Sequence, residues 1–397
     1  MAFGFSRGSK KEQVKRKCDR WYRWSPIKKN KIVFSQFGGK GYGCNPRAIC
    51  DEFIRRGGNY DLVWILAKVN PREFANIPDG VRVVHGEGAL HELITARVWV
   101  NNVLFNDLYN QGLRKKKGTI YLNTFHGGIT LKTEGTDKPT YKEKSFDKMS
   151  QKEKNYRIDA ANVDYITCGC DQEKHVLDEF FYGHGQILKL GDARTDMMVN
   201  GSPADVKRVR DFYQIPDGTK IVIYAPTFRP DLKMDAYNLD YSRILDTLEK
   251  QDGCPWVMLV RLHPRLADRT KDIIPAGDER LINAAAYPDM QELSVAADLM
   301  ISDYSSTITD FMLTRKPAFM YVPDLKYYLK KRGLYFKMED LPFPYSLTND
   351  ELNEQIGSFD QEDYSRRVDA FIEKIGYLAD GHASERIVDF LIEQMNK

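Results

Sequence analysis

The chain has 397 residues, of which 42% are hydrophobic, so it can bury two domain cores of ordinary size. Its formal net charge of +3 is too small to indicate a nucleic-acid-binding protein. No apolar run reaches the ~18 residues that span a bilayer, and no signal-peptide core follows the charged N-terminus. The six cysteines are scattered and form no paired CxxC motif. We therefore expect a reduced, cytoplasmic enzyme without a zinc site, neither secreted nor integral to a membrane.

Residues 1–31 carry a strong local excess of positive charge. They contain eleven Lys or Arg residues against Glu12 and Asp19, a net charge of +9, so the rest of the chain is acidic overall. Three aromatic residues are interleaved with these cations: Trp21, Tyr22 and Trp24. Such a segment suits an anionic lipid surface, where each Lys or Arg adds ~1 kcal/mol. We predict that residues 1–30 contact a membrane; a solvated tail and a nucleic-acid-binding arm are the alternatives.

From Lys31 onward, short apolar runs alternate with stretches of helical periodicity. The runs predicted as strands in the first half are 31–37, 61–66, 81–84, 97–103, 119–123, 164–167 and 186–190. Short apolar strands separated by helices predict a mainly parallel sheet that is covered on both faces. The turn GGKGYG after the first strand resembles a phosphate cradle, but it matches neither the P-loop nor the dinucleotide-binding pattern and is weak alone.

A polar Gly-Ser-Pro break near Gly201 divides the chain into two halves. We predict an N-terminal domain at 31–200 and a C-terminal domain at 201–380, in which a second α/β run begins at Lys220. The remaining segment, 381–397, has an apolar stripe at helical spacing: Ile387, Val388, Leu391, Ile392 and Met395. We predict that it forms a helix that packs across the domains.

His126 stands directly after a predicted strand, with two glycines behind it and Lys132 shortly after. In open α/β sheets, ligands collect beyond the carboxyl ends of the strands, so this histidine is well placed for chemistry. Its ordinary pKa near 6.5 suits a general base. The alternative is a structural histidine.

Three strands of the second half also end in polar side chains: Thr227 and Arg229, then His263, then Ser305 and Ser306. Because the carboxyl ends of parallel strands meet at one edge of a sheet, these groups converge there. Arg can bind phosphate through two N–H groups, and His can donate to an oxyanion. The coincidence predicts a phosphate site.

The stretch 298–321 reads as strand, polar turn, helix and second strand. We predict that Asp303, Ser305 and Ser306 cap a helix at 307–313 whose first N–H groups bind an anion. Asp310 lies about one helical turn beyond Ser306 and could accept hydrogen bonds from substrate hydroxyls. A plain helix cap with a solvated Asp310 is the alternative.

Five motifs in order resemble those of the CDP-glycerol glycerophosphotransferase family, the teichoic acid primases and polymerases. They are FSQFGGKGYGCNPRAICDEF, NTFHGGITLK, YAPTFR, LHP and ISDYSSTITDF, the last followed by RKPAFMYVPD and RGLYF. The likeness extends from about Lys31 to Arg386. It implies a GT-B fold, which has two Rossmann-like, doubly wound α/β domains, the active site in their cleft and the nucleotide held mainly by the C-terminal domain.

The resemblance also implies residue roles. The residues carried over are the paired histidines His126 and His263, the pyrophosphate ligands Arg229, Ser305 and Ser306, and Asp310 for the glycerol hydroxyls. Two departures stand out, because the family's Pro-Arg pair reads Ala193-Arg194 here and its HGTP loop reads HGGI. They bear on the acceptor and the polyol more than on the phosphate chemistry.

The sequence therefore predicts an enzyme that transfers glycerol 3-phosphate from CDP-glycerol to a hydroxyl of a lipid-linked glycan or polyol-phosphate chain, releasing CMP. His126 is the predicted base, and Thr227 and Lys132 join the substrate-binding residues. No acidic cluster has metal-ligand spacing, so we expect no required cofactor, although Mg²⁺ on the pyrophosphate stays open. The resemblance implies peripheral association with the inner face of the cell membrane.

Three alternatives stay open at this point. A CDP-ribitol transferase would use the same phosphate chemistry with a longer polyol. A nucleotide-sugar glycosyltransferase of GT-B fold would leave Asp310 unexplained. A protein of another class would act by binding membranes or nucleic acid through residues 1–31. No sequence signal reports the acceptor structure, the number of units added or the oligomeric state.

Overall fold

The structure is a computed structural model that describes residues 9–68, 76–229 and 234–397. Residues 1–8, the start of the predicted membrane-contacting segment, lie outside the described residues. The described chain forms two parallel sheets with helices packed around them, one sheet in each half. The predicted α/β class is therefore confirmed.

The N-terminal sheet has seven strands among the described residues, in the order β3-β2-β1-β4-β5-β6-β7. The strands are β1 Lys28–Ser35, β2 Asp61–Ile65, β3 Arg82–Val84, β4 Ala96–Asn101, β5 Ile120–Asn123, β6 Tyr165–Cys168 and β7 Gln186–Lys189. Their centres are continuous apolar runs, as parallel strands covered on both faces require. The strand order reverses between β1 and β4, where Val33 pairs with Trp99.

The C-terminal sheet repeats this arrangement with six described strands in the order β10-β9-β8-β11-β12-β13. They are β8 Lys220–Ala225, β9 Trp256–Val260, β10 Leu281–Asn283, β11 Leu299–Ser302, β12 Ala318–Tyr321 and β13 Tyr345–Ser346. Here the order reverses between β8 and β11, where Ser302 pairs with Ala225. In sheets of this kind, ligands bind beyond the strand ends at the reversal.

The α-helices have the following bounds in the described residues. In the first half they are α1 Lys10–Trp24, α2 Cys44–Arg56, α3 Glu87–Ile94, α4 Asn106–Tyr109, α5 Gln151–Ala160, α6 Asp171–Phe181 and α7 Asp196–Asn200. In the second half they are α8 Pro203–Tyr213, α9 Tyr241–Asp252, α10 Thr270–Ile273, α11 Met290–Ala296, α12 Ser306–Phe311, α13 Leu325–Lys331, α14 Asn349–Gly357, α15 Gln361–Ile375 and α16 Ala383–Asn396.

The basic N-terminal segment contains a helix, α1, which the sequence did not predict. Ser9 and Glu12 form a capping box at its start, which satisfies N–H groups of the first turn. Val14 and Cys18 are buried, so one face of α1 is fixed to the N-terminal half. The opposite face is rich in exposed Lys and Arg, and Trp24 is 80% exposed. Among the described residues, none of the helices is both long and apolar enough to cross a bilayer.

The last helix, α16, returns to the N-terminal sheet. Ile387, Val388 and Leu391 are buried in the same cluster as residues of α2 and β1. Asp196 accepts hydrogen bonds from the backbone N–H groups at the start of α16, at 2.9 Å from Ala383 and 2.7 Å from Ser384. The chain therefore passes through the C-terminal half and ends against the first one.

Candidate active site

The serine turn, residues 303–306, links β11 to α12. Ser305 is the N-cap residue, and its hydroxyl accepts a hydrogen bond from the Thr307 N–H at 3.3 Å. The helix begins at Ser306 and ends at Phe311, and one 3₁₀ turn follows it, where the sequence predicted a helix at 307–313. Ser305 and Ser306 are half-buried, so neither residue is fully enclosed in the core.

Asp303 does not cap α12 as predicted. Its carboxylate accepts hydrogen bonds from the Thr227 N–H at 2.9 Å and the Thr227 hydroxyl at 2.6 Å. It also accepts one from Arg229 Nη1 at 2.9 Å. Because β8 and β11 are neighbours at the reversal of strand order, Asp303 ties their two ends together and fixes Thr227 beside the serine turn.

Arg229 lies behind this turn and is only 2% exposed. Its guanidinium donates to Asp324 at 2.7 and 3.0 Å, to Asp303, and to the Thr227 carbonyl at 2.7 Å. Burial alone would lower the pKa of Arg229, but the two carboxylates raise it, so the charge is retained. This arrangement differs from the predicted direct hold on a pyrophosphate, because these donors are already used.

His126 belongs to the histidine loop, residues 124–134, which follows β5. Its Nδ1 lies 2.9 Å from the Asn102 carbonyl, which can only accept, so Nδ1 carries the proton and the Nε2 lone pair is free. Asn102 follows β4, and its side-chain oxygen also accepts from the Phe37 N–H at 2.8 Å after β1. The reversal point of the N-terminal sheet therefore orients the imidazole.

The surroundings of His126 favour its neutral form. Desolvation by the protein around it lowers the pKa of His126, and the charges of Arg194 and Lys132 lower it further, against the raising effect of the Asn102 hydrogen bond. The ring nevertheless keeps an exposed surface in the cleft. A neutral imidazole with a free Nε2 lone pair can accept a proton from a substrate hydroxyl.

His263 follows β9 in the other half and has the opposite tautomer. Its Nδ1 accepts a hydrogen bond from the Arg265 N–H at 3.2 Å, so in the neutral ring the proton is on Nε2. Burial lowers the pKa of His263 first, and the charges of Arg265 and Lys132 add to this. One histidine can thus accept a proton while the other donates a hydrogen bond.

Lys132 is close enough to both histidines and to Asp303 for their charges to interact. Its charge acts on both imidazoles, and its own pKa is lowered by burial while Asp303 raises it. Within the part of the chain that the structure describes, the ammonium group has no carboxylate partner. An unpaired cation beside two neutral histidines is suited to bind a phosphate.

The histidine loop is joined to the other half by a two-stranded strap. Residues 131–134 pair with 332–335, with hydrogen bonds from Tyr335 N–H to the Leu131 carbonyl at 2.8 Å and from Thr133 N–H to the Gly333 carbonyl at 3.3 Å. Gly333 has φ +76°, and a Cβ there would lie 2.9 Å from the Thr133 hydroxyl. The strap therefore requires glycine at this position.

Asp310 is 5% exposed and pairs with Arg194 of the first half. The two groups form a bidentate contact of 2.8 and 2.9 Å, and Arg194 also donates to Asp192 at 3.2 Å. The sequence predicted that Asp310 is open to substrate hydroxyls or, alternatively, solvated. In the structure it is instead buried and paired. The helical register turns Asp310 inward, under Gly128 of the histidine loop, where a Cβ would lie 2.6 Å from Arg194.

Comparisons with known proteins identify the family of the chain. A family model described as CDP-Glycerol:Poly(glycerophosphate) glycerophosphotransferase matches residues 19–393. The chain belongs to this family. The teichoic acid poly(glycerol phosphate) polymerase of Bacillus subtilis is 28% identical over 92% of this chain and 49% of its own length. The teichoic acid ribitol-phosphate primase of Bacillus spizizenii is 27% identical over 92% of both chains. The chain thus spans about half the length of that polymerase.

Solved structures of the wall teichoic acid polymerase TagF share the fold of this family member. One superposes with a TM-score of 0.80 at 26% identity and covers 98% of this chain and 94% of that chain. A variant soaked with CDPG gives a TM-score of 0.79 at 27% identity, covering 97% and 94%. The GT-B fold and the family that the five motifs indicated are therefore confirmed.

Sequence reasoning missed the residues that hold this family member's loops in place. Arg194 was noted only for the alanine before it, and the residues of RGLYF were used only as a family motif. No sequence signal pairs Arg194 with Asp310, because the two residues lie 116 positions apart and only the fold brings them together. Among the described residues, no three His, Cys, Asp or Glu side chains converge as a metal-binding group.

Proposed function

We propose that the protein transfers glycerol 3-phosphate from CDP-glycerol to a hydroxyl of a lipid-linked glycan or polyol-phosphate chain and releases CMP. The observation that carries the proposal is the pair of imidazoles with opposite tautomers, His126 and His263, both close enough to Lys132 to feel its charge. Membership of the glycerophosphotransferase family supports the donor class.

In the proposed reaction, the acceptor oxygen attacks the β-phosphorus of CDP-glycerol in line with the departing CMP. A new P–O bond to the acceptor forms, the P–O bond to CMP breaks, and His126 Nε2 takes the proton of the acceptor hydroxyl. Proton removal raises the nucleophilicity of the oxygen as the bond forms, and such catalysis typically contributes ~10²–10⁴-fold.

Charge that builds on the phosphoryl oxygens and on CMP requires fixed donors. We assign this role to His263 Nε2–H, to Lys132 and to the hydroxyls of Ser305 and Ser306. The Thr227 hydroxyl donates its hydrogen to Asp303 and so fixes the turn beside these donors. Donors of this kind act most strongly where they are preorganised. Arg229 supports the site by holding Asp303 from behind.

Asp310 has two candidate roles that an Asp310→Asn variant separates. If Asp310 positions the histidine loop through Arg194, kcat falls about equally with CDP-glycerol and CDP-ribitol. If it binds the polyol, as the family resemblance implies, the donor KM rises and the ratio between the two donors changes. The bidentate contact with Arg194 favours the positioning role.

We propose peripheral association with the inner face of the cell membrane, where a lipid-linked acceptor is found. The exposed cations of α1 and the 80% exposed Trp24 support it. Loss of binding to anionic vesicles when the exposed Arg16, Arg20 and Arg23 are replaced by Gln, with turnover of a water-soluble acceptor retained, would agree with this role. Equal loss of both would contradict it.

The test of the reaction is CMP release by the purified protein from CDP-glycerol, with and without a glycolipid or oligo(glycerol phosphate) acceptor. Acceptor-dependent CMP from CDP-glycerol, but not from UDP-sugars, is the expected result, and product length then distinguishes one added unit from many. Turnover of CDP-ribitol alone would overturn the donor assignment, which is a sharp test because a ribitol-phosphate primase is 27% identical. Assays with and without Mg²⁺ test its role on the pyrophosphate.

A further inference from the structure

The helix α13 presents an exposed basic face that the reaction described above does not use. Lys326, Lys330 and Lys331 are exposed, and Leu329 between them is 44% exposed. The stretch 325–338 contains five Lys or Arg residues and no Asp or Glu. No acidic residue of the helix itself therefore neutralises this face.

Within the described part of the chain, the cations of this face also have no carboxylate partner. Lys326 and Lys330 take part in no ion pair within residues 9–68, 76–229 and 234–397, and Lys331 lies over the Tyr327 ring at 5.9 Å. Some other lysines of the second half are paired, for example Lys207 with Asp211 at 2.6 Å and Lys220 with Asp252 at 2.5 Å. What distinguishes the α13 face is that its unpaired lysines are clustered on one short helix, so that its positive charge is not compensated by the described residues.

The position of α13 connects this surface to the candidate active site. Asp324, the residue before the helix, binds Arg229 behind the serine turn and accepts from the Tyr304 hydroxyl at 3.1 Å. Tyr328 stacks on Tyr304 at 3.7 Å between ring centroids, which fixes the inner side of the helix. At the other end, the chain enters the strap beside Lys132. The helix α13 therefore lies beside both the serine turn and the strap, and its outer side adjoins the candidate active site.

We propose that Lys326 and Lys330, with Lys331, bind the phosphodiester groups of an acceptor chain that lie beyond its reacting end. The inference rests on the proposed function and names the acceptor as a polyanionic polyol-phosphate chain rather than a neutral glycan. Lysines one helical turn apart present two ammonium groups on one face, and their flexible stems can follow successive phosphates. Charge complementarity and continuity with the cleft favour this occupant over a lipid surface.

The test compares Lys326→Gln/Lys330→Gln with a matched control, Lys250→Gln/Lys271→Gln. The control residues are exposed lysines without a carboxylate partner among the described residues, and both variants lose the same charge. We measure acceptor KM for an oligo(glycerol phosphate) of several units and for an acceptor with a single glycerol phosphate. Two exposed ionic contacts predict about a fivefold rise in KM for the long acceptor in the α13 variant only. Added salt should reduce the difference in long-acceptor KM between the α13 variant and the control, because salt screens exposed charges.

An unchanged KM for the long acceptor, or the same rise for both acceptors, overturns the proposal. Weaker binding to anionic vesicles with no change toward the soluble long acceptor also overturns it and assigns the face to a membrane. Direct binding of a labelled oligo(glycerol phosphate), measured by fluorescence anisotropy, separates this inference from the proposed function. If the labelled chain binds in a way that depends on Lys326 and Lys330 but no CMP is released, the acceptor-binding role of the α13 face is supported. The proposed reaction fails in that case.

Discussion

The serine turn and the histidine loop are both parts of the candidate active site, but they are held in different ways. Asp303, Thr227 and Arg229 bind one another and Asp324, and all of them belong to the C-terminal half. This turn is completed within one sheet, at its own reversal point, so the donor side of the site is preformed in that half.

The histidine loop depends on the other half of the molecule. The Thr309 hydroxyl donates to the Ile129 carbonyl at 3.1 Å, and the strap holds Leu131 and Thr133. The imidazole of His126, the proposed base, is oriented by Asn102 of its own half, but residues 129–133 of its loop are held by the C-terminal half. We therefore expect variants of the serine turn to affect donor binding and variants of the strap to affect turnover.

The largest expected effect is the loss of turnover when His126, the proposed base, is replaced. His126→Ala removes the free Nε2 lone pair and should lower kcat by ~10³-fold, with the KM for CDP-glycerol nearly unchanged. His382→Ala, an exposed histidine paired with Glu385, is the control and should retain full activity. Near-normal turnover by His126→Ala in a folded protein would remove it from the mechanism.

The second-largest effect is expected from replacing Asp303, whose carboxylate holds the serine turn together. Asp303→Asn places an amide where Thr227 and Arg229 both donate, and it leaves a buried guanidinium partly unpaired. We expect a loss of ~3 kcal/mol in the free energy of unfolding and a raised KM for CDP-glycerol.

The control for this variant is Lys220→Gln, which breaks an exposed pair with Asp252 and should cost less than ~1 kcal/mol. Denaturant unfolding and donor titration measure the two quantities. A stable Asp303→Asn protein with normal donor affinity would contradict a preformed donor side.

The two regions also differ in how far the sequence could predict them. Alternation of apolar strands with helices was enough for both sheets, because parallel strands buried on two faces need continuous apolar runs. His126, His263 and the serines could be proposed as site residues because polar groups at strand ends stand out. The contacts of Arg229 with Asp324 and of Asp310 with Arg194 could not be predicted, because the partners are far apart in the chain and only packing of the strands and halves brings them together.

The strap itself is tested by adding one methyl group. Gly333→Ala forces a side chain onto φ +76° and crowds the Thr133 hydroxyl, so the histidine loop must shift. We expect kcat to fall about tenfold, which is what a displacement of reacting groups by a fraction of an ångström can cost, while the donor KM is retained. Gly253→Ala, at φ +68° with no atom near the added Cβ, carries the same backbone strain and should keep its kcat. Equal losses in the two variants would mean that strain, and not the strap, is responsible.

The smallest effect is a difference between the two histidines in their response to pH. The pKa values of His126 and His263 are both lowered, by burial first and by cations second, so each ring is neutral above its ordinary value near 6.5. Because a protonated His126 cannot accept a proton, kcat/KM should fall only as pH drops below about 6.5. Lys40 contributes to the lowered pKa of His263 but is not among the main contributors at His126. Lys40→Gln should therefore leave unchanged the pH at which protonation of His126 lowers kcat/KM. Lys132→Gln removes a cation that lowers the pKa of His126, so the activity that remains in this variant should begin to fall at a higher pH. A common shift in both variants would show that the two imidazoles titrate as one unit, and the separate roles assigned to them would fail.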